Sequence, residues 1–266
     1  ALPIYTFIYF FVYIGGGSIS QGGGTEFAYT LIVPGWRVGG YRCPIVGGLV
    51  NISLCIFYLQ FCFIVIYLIQ HKEAIMFLTQ NKKIKAMQQI DGLKTFNFGI
   101  TALKSCPWAG ECAQFCYAQK GTYMWSNVKP AFERRLDATK RDDFVDLMIT
   151  EIRKKKANRI RIHDSGDFYS FEYFKKWMEI AKKCPDVLFY AYTKSLPIVN
   201  LTIKPINLKI IQSYGGKLDH LIDTSKPHAV IFDSKQELLD AGYLDASKDD
   251  TIAAKIGNIK IGLIKH

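Results

Sequence analysis

From Asn97 onward the chain alternates two patterns. Short apolar or alternating runs are separated by longer stretches in which apolar residues recur at helical spacing. The short runs are 96–101 (FNFGIT), 159–163 (RIRIH), 187–192 (VLFYAY), 208–212 (LKIIQ), 228–232 (HAVIF) and 259–264 (IKIGLI). Their brevity and their β-branched and aromatic content predict six strands. Residues 124–140 read as a helix with a polar, basic face. Asp142-Asp143 then reads as the cap of a second helix, with Phe144, Leu147, Met148 and Ile152 on one face. It runs into Arg153-Lys154-Lys155-Lys156, where positive charge suits the C-terminal end of a helix dipole, so this basic run needs no ligand to explain it. Ser170 caps a third helix, with Phe171, Phe174, Trp177, Met178 and Ala181 as its apolar face and Pro185 at its end. Two shorter helices are expected near 235–241 and 248–254. Strands alternating with helices predict an α/β fold, with parallel βα repeats forming a partial or full TIM-like barrel.

That fold class gives meaning to the residues that follow each strand. In parallel α/β folds the C-terminal strand ends share one face, and sites are built there. Here those ends carry a cysteine-rich loop after the first strand, His163-Asp164-Ser165-Gly166-Asp167, Thr193-Lys194-Ser195, Ser213-Tyr214-Gly215-Gly216 and Asp233-Ser234. The last reads as an ordinary cap. The group at 163–167 combines two carboxylates, a hydroxyl and an imidazole. It suits a polar ligand, and it equally suits capping of the next helix. Gly215-Gly216 is a weak phosphate-loop signal, because it lacks the spacing of the known fingerprints.

Composition changes near residue 75. Residues 1–75 carry only Arg37, Arg42 and Lys72 as basic residues and Glu26 and Glu73 as acids, although the 266-residue chain has a formal charge of +11. Residues 49–69 are uncharged and long enough to span a bilayer as a helix. The readings are a membrane anchor, a secretory leader without a basic n-region, or translation upstream of the natural start. The first Met is Met76, which favours the last. Residues 76–266 are expected to form a single α/β domain. The positive charge favours anionic partners, such as a small-molecule or nucleotide-like substrate, nucleic acid or a membrane surface, and a solvated lysine surface explains it as well. Seven cysteines without regular spacing argue against a secreted disulfide framework and for the cytoplasm.

Cys106, Cys112 and Cys116 are spaced C-x5-C-x3-C among Pro, Gly, Glu and Gln. Buried thiols pack like small hydrophobes, but this is not a core-like segment. Soft thiolates at this density suit an iron–sulfur cluster or zinc, with redox thiols as a further reading. A zinc-stabilised nucleic-acid-binding protein would need a fourth ligand, Cys184 or a histidine, and would use aromatics such as Tyr117, Tyr123 and Trp125 to stack bases. Paired C-x2-C knuckles and nucleic-acid motifs are absent from the sequence.

The blocks SCPWAGECAQFCYAQKG, RIRIHDSGDFYS, FYAYTKS, IIQSYGG and IGLIKH, in this order, resemble the phage and plasmid gene product 88 family over roughly 81–266. That family's pattern continues past the final His266, which implies a C-terminal truncation. The cysteine triplet ending in Cys-Tyr-Ala also resembles the cluster loop of radical S-adenosylmethionine enzymes, although their usual spacing is C-x3-C-x2-C. This second resemblance implies Cys106, Cys112 and Cys116 as ligands of a [4Fe–4S] cluster whose fourth iron is open to S-adenosylmethionine. It sets Tyr117 against the adenine, and Asp164, Ser165, Asp167, Lys194 and Ser213 around the ligand. Lys194 is then expected to pair with a carboxylate or phosphate, and Asp167 to hold a ribose hydroxyl or an amine. No catalytic residue, substrate or reaction follows from either resemblance.

Overall fold

The computed structural model describes residues 76–257 and 259–265, together with four two-residue strands nearer the N-terminus. The chain divides into two units, 1–73 and 74–266. In the first, β1 (Ala28–Tyr29) pairs antiparallel with β4 (Tyr41–Arg42), and β2 (Ile32–Val33) with β3 (Trp36–Arg37). The apolar span expected at 49–69 lies outside the described residues. Among the described residues no helix is long and apolar enough to cross a membrane.

The second unit is an α/β fold built on one parallel sheet. Its strands are β5 (Thr95–Phe98), β6 (Arg159–Ile162), β7 (Leu188–Thr193), β8 (Leu208–Ser213), β9 (His228–Phe232), β10 (Leu244–Asp245) and β11 (Lys260–Ile264). They lie in the order β5-β6-β7-β8-β9-β11-β10. The sheet curls into an open half-barrel with β5 and β10 at its edges, so the partial form of the expected barrel is the one adopted. The six expected strands are present, with ends shifted by up to three residues. The two-residue β10 was too short to give a periodic signal.

The helices are α1 (Lys82–Asp91), α2 (Lys129–Lys140), α3 (Phe144–Lys155), α4 (Phe171–Lys183), α5 (Leu196–Val199), α6 (Lys235–Asp240) and α7 (Thr251–Ala254). Period-2 alternation sends successive strand residues to opposite faces. On the convex face, Phe98, Ile160, Ile162, Phe189 and Ala191 meet the apolar stripes of α3 and α4. Trp177 of α4 is fully buried there, edge-on to both Phe98 and Phe144. On the concave face, Tyr190, Ile211, Ala229 and Ile261 meet Ile84 and Met87 of α1 and Ala253 and Ala254 of α7.

Local chemistry sets the helix ends. The Ser170 hydroxyl accepts from Tyr173 N, as the sequence predicts. Asp143 does precede α3, but its carboxylate makes no cap bond and pairs with Arg141 instead. α2 starts at Lys129 rather than Met124. Pro130 sits in its first turn, where the missing N–H costs nothing, and 121–124 form only a 3₁₀ turn. α1 escaped the pattern because only Ile84 and Met87 in it are buried. Its ends are defined locally: the Asn81 side chain accepts from Ile84 N, and Gly92 closes the helix at φ +74°.

Trp177 joins the α4 stripe to the strands, so its loss tests the convex core. Trp177→Ala is expected to lower stability by about 3–5 kcal/mol, read as a fall in the urea midpoint at unchanged slope.

Candidate functional site

The C-terminal ends of β6, β7 and β8 and the loop after β5 surround one cavity of about 360 Å³ at the mouth of the half-barrel. The nine residues that the cluster-loop resemblance implies all line it: Cys106, Cys112 and Cys116, and Tyr117, Asp164, Ser165, Asp167, Lys194 and Ser213. Nine residues spread over more than one hundred positions are thus brought together by the strand register and by the seating of the loop after β5.

The cysteine loop runs from the end of β5 to α2 with only three 3₁₀ turns, at Glu111–Ala113, Tyr117–Gln119 and Gly121–Met124. Two seams hold it. Toward β8, Ala109 bridges Gly216, Cys112 N donates to Gly215 O at 3.2 Å, and Lys217 N donates to Trp108 O at 3.0 Å. A Cβ on Gly110 would stand 2.7 Å from the Gly216 carbonyl carbon, so this approach of two backbones requires glycine. Toward β6, Ile100 N donates to Ser165 O, and the Ser165 hydroxyl donates to Ile100 O, both at 2.9 Å. Gly166 has φ +86°, and a Cβ there would meet Ile100 Cγ1 at 2.4 Å. The Gly215-Gly216 turn is not a phosphate loop. Its two N–H groups already donate to the Asp219 carboxylate, at 2.7 and 2.8 Å.

Cys106, Cys112 and Cys116 are free and half-buried, and all three line the cavity. Among the described residues, no three His, Cys, Asp or Glu side chains stand close enough to hold a single metal ion. Cys184 is elsewhere. It ends α4 inside the convex core, so it is not available as a fourth ligand. Burial pushes the Cys106 thiol up to about 12, with the charge of Asp167 adding to it. A metal cation would reverse that balance, because coordination deprotonates a thiol.

The two buried carboxyls differ. Asp167 Oδ1 accepts from Thr193 Oγ1 at 2.5 Å and from Phe168 N at 2.7 Å, and Oδ2 accepts from Lys194 N at 2.8 Å. It braces the tip of β7 against β6, and this leaves little of it for a ligand. Asp164 Oδ2 accepts from Asn97 Nδ2 at 2.6 Å, whereas Oδ1 is buried with no partner among the described residues. A Cβ on Gly99 would lie 2.0 Å from that oxygen. Burial raises both carboxyls above the usual range. Tyr117 exposes part of its ring, while its hydroxyl donates inward to the Asp164 carbonyl. Lys194 Nζ donates to Ser213 Oγ at 2.7 Å.

The floor of the cavity carries residues that sequence reasoning missed. Asp250, with no exposed surface, accepts from Arg161 Nη1 at 2.7 Å and pairs with Lys83 Nζ at 2.8 Å. The hydroxyls of Tyr190 and Tyr192 donate to the same carboxylate at 3.0 and 3.3 Å. Two cations and two phenols hold Asp250 below its usual range against the opposing effect of burial. Arg161, Lys83 and Tyr192 line the cavity, and Asp250 lies beneath them. The basic–apolar alternation of RIRIH was the available signal: a buried strand that keeps an arginine on its inner face needs a counter-charge. Nothing in the sequence pointed to Lys83.

Comparison with known proteins adds family relationships. A family model described as "Gene product 88" matches residues 74–263. A "Gene 88 protein" of Mycobacterium phage L5 is 32% identical over 102 residues, which cover 34% of this chain and 43% of the relative. A "Gene 88 protein" of Mycobacterium phage D29 is 31% identical over 102 residues, covering 34% and 42%. The chain therefore spans less than half the length of the curated relatives it matches. No solved structure matches it.

His163, at the end of β6, gives the site a pH signature. It is buried at φ +66°, with Nε2 on the Tyr173 hydroxyl at 2.8 Å, and burial, then the Arg161 charge, lowers its pKa to about 3. The unfolded chain protonates this histidine near its ordinary value of about 6.5, whereas the folded chain resists until about 3. Between these values the unfolded state binds the extra proton, so this contribution to stability is lost as pH falls. Asp164 and Asp167, raised in the folded state, act in the opposite sense near the carboxylate range. The difference between wild type and His163→Asn isolates the histidine, since asparagine tolerates positive φ. Urea unfolding at pH 7, 5.5 and 4 is expected to show a shallower stability loss in the variant.

Proposed function

This chain belongs to the gene product 88 family, and from that premise we propose that its cavity is the site of an iron–sulfur enzyme resembling the radical S-adenosylmethionine type. One observation carries the reading: three thiols from one loop line the same cavity as the polar tips of β6, β7 and β8. By ligand type the donor set suits such a group. The three cysteines are soft ligands and unpaired, and Cys106 sits where burial disfavours a bare thiolate. Cys106, Cys112 and Cys116 would hold a [4Fe–4S] cluster, which supplies one-electron chemistry and an iron open to a ligand.

The chain's own residues have distinct tasks in this reading. Tyr117 follows the last cysteine and closes one wall, with its hydroxyl anchored on β6. Ser165 and Asp167 hold the tips of β6 and β7 in register with the loop. Lys194, held by Ser213, presents a cation to a bound anion. The buried carboxyl of Asp164, with one oxygen held by Asn97, is the proton-holding group of the cavity.

Zinc is the second reading by ligand type, although among the described residues no three such side chains stand close enough to hold a single ion. The exclusion of Cys184 from the cavity weighs against a closed four-cysteine structural zinc and its nucleic-acid role. The full chain, purified without oxygen, is expected to be brown with about four irons, and Cys112→Ala is expected to lose most of that iron. A colourless protein with about one zinc would favour the nucleic-acid reading, and a folded protein with neither metal would sink both.

A further inference from the structure

We propose that the floor of the cavity, between the Lys83 ammonium and the Arg161 guanidinium, is a binding site for an anionic group of the substrate, a carboxylate or a phosphate. This names the substrate class of the cavity described above. It rests on that cavity being the binding site, though not on which metal the cysteines hold.

The argument starts from a charge imbalance. Lys83 and Arg161 both line the cavity, and both pair with one carboxylate, Asp250, which does not. Each Asp250 oxygen receives one cation and one tyrosine hydroxyl: Lys83 and Tyr192 on Oδ1, Arg161 and Tyr190 on Oδ2. A carboxylate offers about four acceptor sites, so Asp250 is saturated. Among the hydrogen-bonded partners on the floor, one carboxylate thus faces two cations; Asp249 also acts on Lys83, but it does not line the cavity.

The second observation is an unmet donor. Arginine presents five N–H donors in a fixed fork. Arg161 uses Nη1 on Asp250, and its Nε–H is buried with no acceptor among the described residues. Buried donors without partners are costly, and arginine forks match carboxylate and phosphate geometry. The Arg161 guanidinium also stands 5.1 Å from the Tyr192 ring centre, which fixes its plane.

The other acids of the cavity do not cancel this charge. Asp167 is committed to three donors on β7 and its own loop. Asp164 feels Arg161 but makes no hydrogen bond to it, and burial shifts it toward the neutral form. Lys83, despite Asp250, is held below the usual lysine range, first by burial and then by the charge of Arg161. An anion above these two cations would relieve both. Lys194 extends the same preference up the wall.

The test uses the full chain and two probes, inorganic phosphate and acetate, followed by calorimetric titration at neutral pH. Wild type is expected to bind at least one of them saturably with one site per chain, and the probe that binds assigns the group as phosphate or carboxylate. Lys83→Gln is expected to weaken that binding about tenfold or more. Its fold is retained because Arg161 still pairs Asp250, which a thermal melt checks. Lys83→Arg is expected to keep most of the affinity, and Lys154→Gln, on the exposed face of α3, all of it. Wild type binding neither probe, or Lys83→Gln binding as tightly as wild type, would overturn the proposal. Binding that depends on Lys83 in a chain found to lack iron leaves the anion site standing and removes the cluster. Iron without anion binding does the reverse.

Discussion

The fold turns on one buried carboxylate. Asp250 precedes α7 and receives Arg161 from β6, Lys83 from α1 and tyrosines from β7. An ionised carboxylate without exposed surface costs several kcal/mol in lost hydration, and this is offset only when every lone pair is used. Here every one is. The same contacts tie α1 and α7 to the concave face, where apolar burial alone is modest: Ile84 and Met87 from one helix, and small alanines from the other. Removing Asp250 would leave two cations facing each other inside the half-barrel. The concave face is therefore specified by charge, whereas the convex face is specified by aromatic packing around Trp177.

The second organising device is the close seating of the cysteine loop. It has little regular structure of its own, yet backbone hydrogen bonds fasten it to β8 on one side and to β6 on the other. Gly110 and Gly166 permit these approaches, because any side chain there would collide with a neighbouring strand tip. The thiols are thus held in place by backbone contacts that require no ligand. A pre-positioned set of donors loses less freedom on binding than a loose one.

Much of this was legible in the sequence, and the reasons are specific. The convex helices α3 and α4 have broad apolar stripes, so periodicity found them, and the strands they cover are apolar enough to stand out. The cysteines and the strand-end residues were legible because a parallel sheet gathers its C-terminal ends on one face, whatever their separation along the chain. α1 and the floor of the site were not legible. A short, mostly polar helix gives no stripe, and the pairing of Arg161 with Asp250 joins residues 89 positions apart, which no local pattern encodes. Asp167 is expected to meet a ligand, and the structure shows three donors already on its carboxylate, two of them from the tip of β7. Composition cannot tell a carboxylate that binds a ligand from one that binds its own backbone.

The placement of Asp250 also bears on the order in which the chain is made. Synthesis runs from Lys83 through Arg161 to Asp250, and β11, which sits between β9 and β10, follows Asp250. A nascent chain that has completed β5 to β9 can collapse its convex core on α3 and α4. It must nevertheless wait, with two unneutralised cations turned inward, until the counter-ion emerges. Until β11 is added, the mouth of the half-barrel lacks the wall supplied by Leu263 and Ile264. A group seated between the strand tips is therefore fully walled only once β11 is in place.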